Sequence, residues 1–253
     1  METIEFVKTL AREGELLAAA AEKAGTDAPV PTCPEWRVAD LLRHTGSVHR
    51  WAAGYVADGL VEPAPFPEAP ELAGAELLAW FREGHAALVR TLSEAPADVR
   101  CWTFLPTAPP SPLAFWARRQ AHETTVHRMD AEAALGVEPG PVEPWFAQDG
   151  IDELLTGFHA RPRSRVRTDA PRVVRVRATD TGAVWTVHLS QEPARTVRED
   201  ARAGSAVPAV ADCELTGGAA WLYAALWNRL PLTGPGVTGD QELARLWRES
   251  AGI

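Results

Sequence analysis

Ten residues of the sequence, 121–130, read AHETTVHRMD and carry the strongest indication of how the chain folds. Glu123 precedes His127 by four residues, and on an α-helix this spacing places both side chains on one face, one turn apart. A carboxylate and an imidazole from one helix supply two of the three protein ligands that a catalytic metal needs. A second helical segment contains His44, which is a candidate for the third ligand. The sequence therefore predicts a metal site, provided that these two helices meet.

The first 160 residues show the apolar spacing of long helices. Four helices are predicted, over residues 4–24, 38–58, 72–93 and 113–135. The proposed core of the first helix consists of Phe6, Val7, Leu10, Leu16 and Leu17. Prolines between the helices, at 63–70 and 106–110, predict loops, while Ser111-Pro112 and Gly136 suit the two ends of the fourth helix. Four such helices predict a bundle, in whose core facing helices can build a metal site.

The hydrophobic period changes from 3.6 to 2 after about residue 161. Strands are predicted over residues 172–177, 184–189, 196–198 and 209–215, with a hairpin turn at 180–182. Two helices are then predicted, over residues 217–230 and 240–249. Strands followed by helices indicate an α+β module. The predicted organisation is a helical bundle over residues 1–160 and a smaller α+β domain over residues 161–253.

Composition and charge exclude several classes of function. The 253 residues carry 25 basic and 34 acidic side chains, a net charge of −9, which argues against binding to nucleic acid. The sequence contains no apolar run long enough to span a membrane and no signal peptide at its acidic N-terminus. Its three cysteines are far apart and form neither a disulfide framework nor a metal knuckle. A cytoplasmic protein without membrane or nucleic-acid partners is expected, and the sequence does not specify its oligomeric state.

Two segments resemble the signatures of the mycothiol-dependent maleylpyruvate isomerase family. They are TCPEWRVADLLRH, residues 32–44, and the AHETTVHRMD segment; residues 48–51, VHRW, are also typical of that family. The resemblance extends to the C-terminal half through LTGGAA, residues 215–220, and VTGD, residues 237–240. It implies a DinB-like four-helix bundle followed by an α+β domain similar to sterol carrier proteins. It also implies one divalent metal, most often Zn²⁺, with His44, Glu123 and His127 as ligands.

The resemblance further implies mycothiol as a thiol cofactor and a small electrophile as substrate. A zinc ion with three protein ligands keeps one or two positions open, and a thiol bound there is held as thiolate. For isomerisation, the thiolate adds to an activated cis double bond, the adduct rotates, and elimination of the thiolate gives the trans product. For thiol transfer, the thiolate displaces a leaving group or opens a ring, and the product keeps the sulfur. No catalytic residue is assigned beyond the metal ligands, and Cys33 is interpreted as structural.

Several polar residues near the three ligands have alternative roles. The side chain of His122 points about 100° away from that of Glu123 around the helix. This position is equally consistent with a surface or capping role and with a place in the pocket. His49 is expected to pack or to line the site, and Asp130 to orient an imidazole or form an ion pair. Arg82 and His85 on the third predicted helix are expected on a solvated face, with contact to an anionic substrate as the alternative. Trp36 and Trp51 flank the His44 helix and are candidates for pocket walls.

Two other classes of function remain consistent with the sequence. One is a zinc-dependent hydrolase, which needs a general base near a metal-bound water, a role open to His122, His49 or Asp130. The other is a non-catalytic module that binds a small ligand or regulates a partner, with a structural metal. A structural zinc site is closed by four protein ligands, whereas the predicted set has three.

Overall fold

A computed structural model describes residues 2–105, 110–199 and 210–252. Two compact units can be distinguished. The first holds the described residues up to Phe104 and those from 110 to Gly140, and the second holds Leu105 and the described residues from Pro141 onward. No helix in these ranges is both long and apolar enough to cross a membrane.

The first unit is a bundle of four long helices, as the sequence predicts. They are α1 (Thr3–Ala24), α2 (Val38–Asp58), α3 (Gly74–Glu94) and α4 (Pro112–Leu135). The end signals of α4 act as expected: the Ser111 hydroxyl accepts from the Ala114 N–H at 3.2 Å, and Gly136 takes a left-handed conformation with φ of 78°. The predicted loop residues Pro106 and Pro109 lie outside the described residues.

The order of the helices around the bundle brings the candidate ligands to one interface. Helix α1 packs against α3 and α4, and helix α2 also packs against α3 and α4, so α2 and α4 are neighbours. Leu10, Leu17, Leu41 and Phe81 are fully buried between the helices. The prediction that Leu16 belongs to this core is wrong: its side chain is 44% exposed, because it lies on the outer face of α1.

Helix α4 is buried on almost every side, although much of it is polar. Its buried polar residues are Arg119, Gln120, His122, Thr124, Thr125, His127, Arg128 and Asp130. Burial of polar groups is costly unless each has a partner, so a helix of this kind requires an internal polar network. One part of that network is structural: Arg128 Nε lies 2.6 Å from Glu13 Oε2 on α1, and both side chains are 1% exposed.

The second unit is an α+β domain, and this prediction is also confirmed. Its helical elements are α5 (Pro144–Asp152), a π-helical segment (Glu153–Phe158), α6 (Ala219–Leu226) and α7 (Gln241–Ser250). Its strands are β1 (Arg172–Ala178), β2 (Val184–Leu189), β3 (Arg195–Glu199), β4 (Cys213–Gly217) and β5 (Val237–Gly239). They form one mixed sheet in the order β3-β2-β1-β4-β5, in which only β1 and β4 are parallel among the pairs described.

The sequence places the change between domains near residue 160, whereas the structure groups residues 141–160 with the second unit. The reason is the packing of α5, which lies against α6 through Phe146 and Tyr223, with ring centroids 6.2 Å apart. Because α5 is helical, its apolar residues have the same spacing as those of the bundle helices. The hydrophobic pattern of the sequence therefore does not show where the second unit begins. The predicted strand 209–215 begins later, at Cys213, and its first residue lies outside the described residues.

Candidate metal centre

Three side chains from two helices converge at the interface of α2 and α4. His44 comes from α2, and Glu123 and His127 come from successive turns of α4. One possible ligand atom from each residue lies within 4.8 Å of the others. Glu123 Oε1 is 3.4 Å from His44 Nε2 and 3.2 Å from His127 Nε2. The two helices meet as the site prediction requires, and the structure brings all three predicted residues together.

The Glu123 carboxylate has its two oxygens in different environments. Oε1 faces both imidazoles, while Oε2 accepts a hydrogen bond from Arg119 at 3.0 Å. Burial alone would raise the pKa of Glu123, but hydrogen bonds from His127 and His44, together with the charge of Arg119, hold the pKa well below its usual range. Glu123 is therefore an anion with one oxygen directed at the imidazole nitrogens.

His127 is oriented by a second carboxylate. Its Nδ1 lies 2.8 Å from Asp130 Oδ2, and the Thr32 hydroxyl donates to the other oxygen of Asp130. Burial lowers the pKa of His127, but the hydrogen bonds to Asp130 and Glu123 outweigh burial and raise the pKa to about 9. When the imidazole is neutral, an Nδ1–H bonded to Asp130 leaves the lone pair on Nε2, the atom that faces Glu123.

The chemistry of these donors fits a divalent metal. Two imidazole nitrogens and one carboxylate oxygen form a set found at catalytic zinc sites, where the protein supplies three ligands. Arg119 and Asp130 hold the outer atoms of Glu123 and His127, which is how ligand orientation is commonly fixed. Without a metal, the electrostatic attraction between the anion and the imidazoles also explains the cluster, so the geometry fits both states.

Exposure decreases across the cluster from His44 to His127. The side chains of His44, Glu123 and His127 are 36%, 21% and 9% exposed. Two aromatic rings border the exposed member: the Trp36 centroid is 5.0 Å from that of His44, and the Phe66 centroid is 6.3 Å away. Trp36 also stacks on His127 at 5.9 Å. The cluster can therefore be reached from the side of His44, past aromatic side chains.

Three other histidines of the bundle are buried apart from this cluster. His49 Nε2 lies 2.9 Å from the Thr124 hydroxyl, and His85 Nε2 lies 3.0 Å from the Leu10 carbonyl. His122 is fully buried with its ring 6.0 Å from Phe6. The expectation of a surface role for His122 is wrong, and so is that of a solvated face for His85, because both belong to the packed interior.

The remaining predicted residues have ordinary partners. Arg82 forms a partly exposed ion pair with Glu22 at 2.8 Å, as expected for a solvated face. Trp36 contacts both candidate imidazoles, whereas Trp51 contacts Phe66 at 6.0 Å. Cys33 lies in the turn before α2, where its carbonyl accepts from the Trp36 N–H at 2.8 Å.

Sequence reasoning missed two residues of the site. Arg119 precedes Glu123 by four residues, so the same helical spacing that identified His127 would have found it. Phe66 lies between Pro65 and Pro67, and the proline cluster indicated only a loop. The one indication of a role for Phe66 in the sequence was that a large aromatic residue is uncommon in a proline-rich loop.

Comparisons with known proteins agree with this fold. Residues 7–132 match the family model for the mycothiol maleylpyruvate isomerase N-terminal domain, and residues 146–246 match the model for the C-terminal domain of the same family. The crystal structure of a mycothiol-dependent maleylpyruvate isomerase is similar, with a TM-score of 0.58 at 12% identity. The crystal structure of a histidine-to-alanine variant of such an isomerase is also similar, with a TM-score of 0.61 at 11% identity. Each comparison covers 94% of this chain and 92% of the other. A search of curated proteins gave no match.

Proposed function

The chain belongs to the mycothiol-dependent maleylpyruvate isomerase family of enzymes, and we propose that it works with one zinc ion held by His44, Glu123 and His127. The thiol cofactor is mycothiol, and the substrate is a small electrophile that undergoes cis–trans isomerisation or accepts the thiol. The cytoplasmic location expected from the sequence is part of this proposal.

One observation carries the proposal: three ligand atoms from two helices lie within 4.8 Å of one another, beside a partly exposed imidazole. Three protein ligands leave room for an exogenous ligand, which suits an enzyme better than a structural site. When bound, zinc supplies a positive charge that keeps a coordinated thiol in its thiolate form at neutral pH.

The side chains around the cluster have separate tasks. Arg119 binds Glu123 Oε2 and so directs Oε1 toward the two imidazoles. Asp130 accepts from His127 Nδ1, which leaves Nε2 as the donor atom. Trp36 covers His127 and borders His44, and its ring limits the access of water to the cluster. These residues bind, orient and shield, and none of them needs to act as a nucleophile.

The experiment that tests this proposal measures thiol-dependent turnover of the zinc-loaded protein. Rates are measured with a panel of activated cis alkenes and alkylating electrophiles, each with and without mycothiol. We expect turnover that requires both zinc and mycothiol and falls by at least about a hundredfold in Glu123→Gln. The control Glu83→Gln, at a carboxylate that is 78% exposed on α3, should retain the rate.

Two results would contradict the proposal. Zinc-dependent hydrolysis that proceeds equally without any thiol would identify a hydrolase. Ligand binding without turnover of any substrate, at full zinc occupancy, would identify a binding or regulatory module.

A further inference from the structure

Phe66 is unusual because a large aromatic ring stands 49% exposed beside the candidate metal centre. Its ring lies nearly parallel to that of His44, with an interplanar angle of 29° and a centroid distance of 6.3 Å. His44 is the most exposed of the three candidate ligands. A molecule that reaches the cluster therefore meets the face of Phe66 as well.

The position of Phe66 is built into the loop that carries it. Two residues earlier, both backbone groups of Ala64 are bound by side chains of α2: its N–H donates to the Tyr55 hydroxyl at 2.6 Å, and its carbonyl accepts from Trp51 Nε1 at 3.2 Å. Pro65 and Pro67 restrict the backbone on either side of the ring. The backbone that carries Phe66 is thus constrained by the contacts of Ala64 and by the two prolines, although Phe66 itself is 49% exposed.

Phe66 is also the exposed end of an aromatic cluster in the bundle. It contacts Trp51 at 6.0 Å, and Trp51 in turn contacts Tyr55 at 5.1 Å and Trp116 at 5.4 Å. Tyr55 and Trp116 are fully buried and stacked on each other. An exposed ring supported by a rigid aromatic wall costs little entropy when another ring packs on it.

Three arginines on or beside the two ligand-bearing faces have partners of their own. Arg43 donates to the Leu72 carbonyl, Arg50 donates to the Trp80 carbonyl and lies over the Trp80 ring, and Arg119 binds Glu123. Trp36 and Phe66 both contact the His44 ring, and they offer apolar ring faces to a ligand that reaches it.

We infer that the electrophile used by this enzyme carries a planar apolar ring, which packs on Phe66 beside Trp36 while its reactive carbon faces the metal centre. This inference rests on the proposed function and names the substrate class of the same site. The ring interaction supplies binding and orientation, and it makes Phe66 a residue that determines specificity.

The test compares two thioether analogues of the thiol adduct, the S-benzyl and S-methyl conjugates of mycothiol, by calorimetric titration of the zinc-loaded protein. We expect the benzyl conjugate to bind about tenfold more tightly, from ring packing and buried area. In Phe66→Ala the preference should fall to about twofold or less, and Phe66→Leu should give an intermediate value. Val61→Ala, at a 67% exposed residue in the same loop, should keep the full preference.

The possible failures are distinct. Equal affinity of the two conjugates for the unaltered protein overturns the inference, as does a benzyl preference that Phe66→Ala leaves unchanged while zinc content stays at one equivalent. If mycothiol itself fails to bind the zinc-loaded protein in the same titration, the proposed function is wrong. If mycothiol binds and neither conjugate does, the inference alone is overturned.

Discussion

The bundle contains two groups of three residues that are built mainly from histidines, and the groups differ in the partners of their imidazoles. The metal-centre group, His44, Glu123 and His127, includes a carboxylate and is partly exposed. The interior group, His49, His85 and His122, is buried against a hydroxyl, a backbone carbonyl and an aromatic ring. The carboxylates Glu123 and Asp130 raise the pKa of His127 to about 9 against the effect of burial, whereas burial lowers the pKa of His49 and His85. The carboxylates that contact a buried imidazole thus decide whether it is suited to binding a cation or only to packing.

The largest effect on stability is expected from the interior group. His49→Ala removes a fully buried ring and leaves the Thr124 hydroxyl without its partner, so the free energy of unfolding should fall by about 3 kcal/mol. Zinc content should stay unchanged once the variant is folded. Denaturant titration and metal analysis of one preparation measure both quantities. Loss of zinc from a folded His49→Ala protein would show that the interior group also takes part in metal binding.

The next effect concerns the orientation of a ligand. Asp130→Asn keeps the shape of the side chain but removes the charge that faces His127 Nδ1 at 2.8 Å. We expect zinc affinity to fall about 10- to 100-fold, as is typical when the residue that orients a metal-bound imidazole is changed. Competition with a chromophoric chelator measures this affinity. An unchanged affinity would mean that Asp130 serves only the packing of α4.

A pair of glycine substitutions tests how tightly the interior group is packed. A Cβ at Gly14 on α1 would overlap the His85 ring, while a Cβ at Gly54 on α2 would meet no atom within 4 Å. Gly14→Ala should therefore destabilise the bundle by about 1–2 kcal/mol, and Gly54→Ala should stabilise it by about 0.5–1 kcal/mol through helix propensity. Thermal unfolding of the two variants checks the opposite signs, and stabilisation by Gly14→Ala would contradict the close packing around His85.

The smallest effect is a pH dependence of stability that also comes from the interior group. Burial lowers the pKa of His49 and His85 in the folded protein, so the unfolded chain takes up protons first as the pH falls. Their contribution is complete well above pH 6.5, the pKa of the unfolded histidines, and is lost as the pH falls through that value, by at most about 0.8 kcal/mol per group at pH 6. Unfolding between pH 7.5 and 5.5 should show a smaller slope in His85→Phe than in the unaltered protein. If stability depends on pH equally steeply in His85→Phe and in the unaltered protein, titratable groups other than His85 cause the dependence.

The sequence predicted the parts of the structure that depend on short-range spacing. The bounds of α2, the capping of α4 by Ser111 and Gly136, and the pairing of Glu123 with His127 all follow from helical periodicity. The approach of His44 to α4 came from the family resemblance, since the order of helices in a bundle is a property of packing.

Other features could not be read from the sequence because they depend on contacts between distant segments. His85 resembles a surface residue in its polar surroundings, yet the space opposite Gly14 accommodates its ring inside the bundle. The short strand β5 has only three residues and takes its structure from pairing with β4. Phe66 lies in a segment rich in proline, and its role depends on where Tyr55 and Trp51 bind the loop.

The central claim is that the metal-centre group binds zinc and the interior group does not. Zinc bound per chain, measured by elemental analysis after extensive dialysis, tests it in the unaltered protein, in His127→Ala and in His122→Ala, with folding of each variant verified by circular dichroism. We predict one equivalent in the unaltered protein and in His122→Ala, and less than a tenth of an equivalent in His127→Ala. Absence of zinc from the unaltered protein, or one equivalent retained by His127→Ala, would contradict the claim.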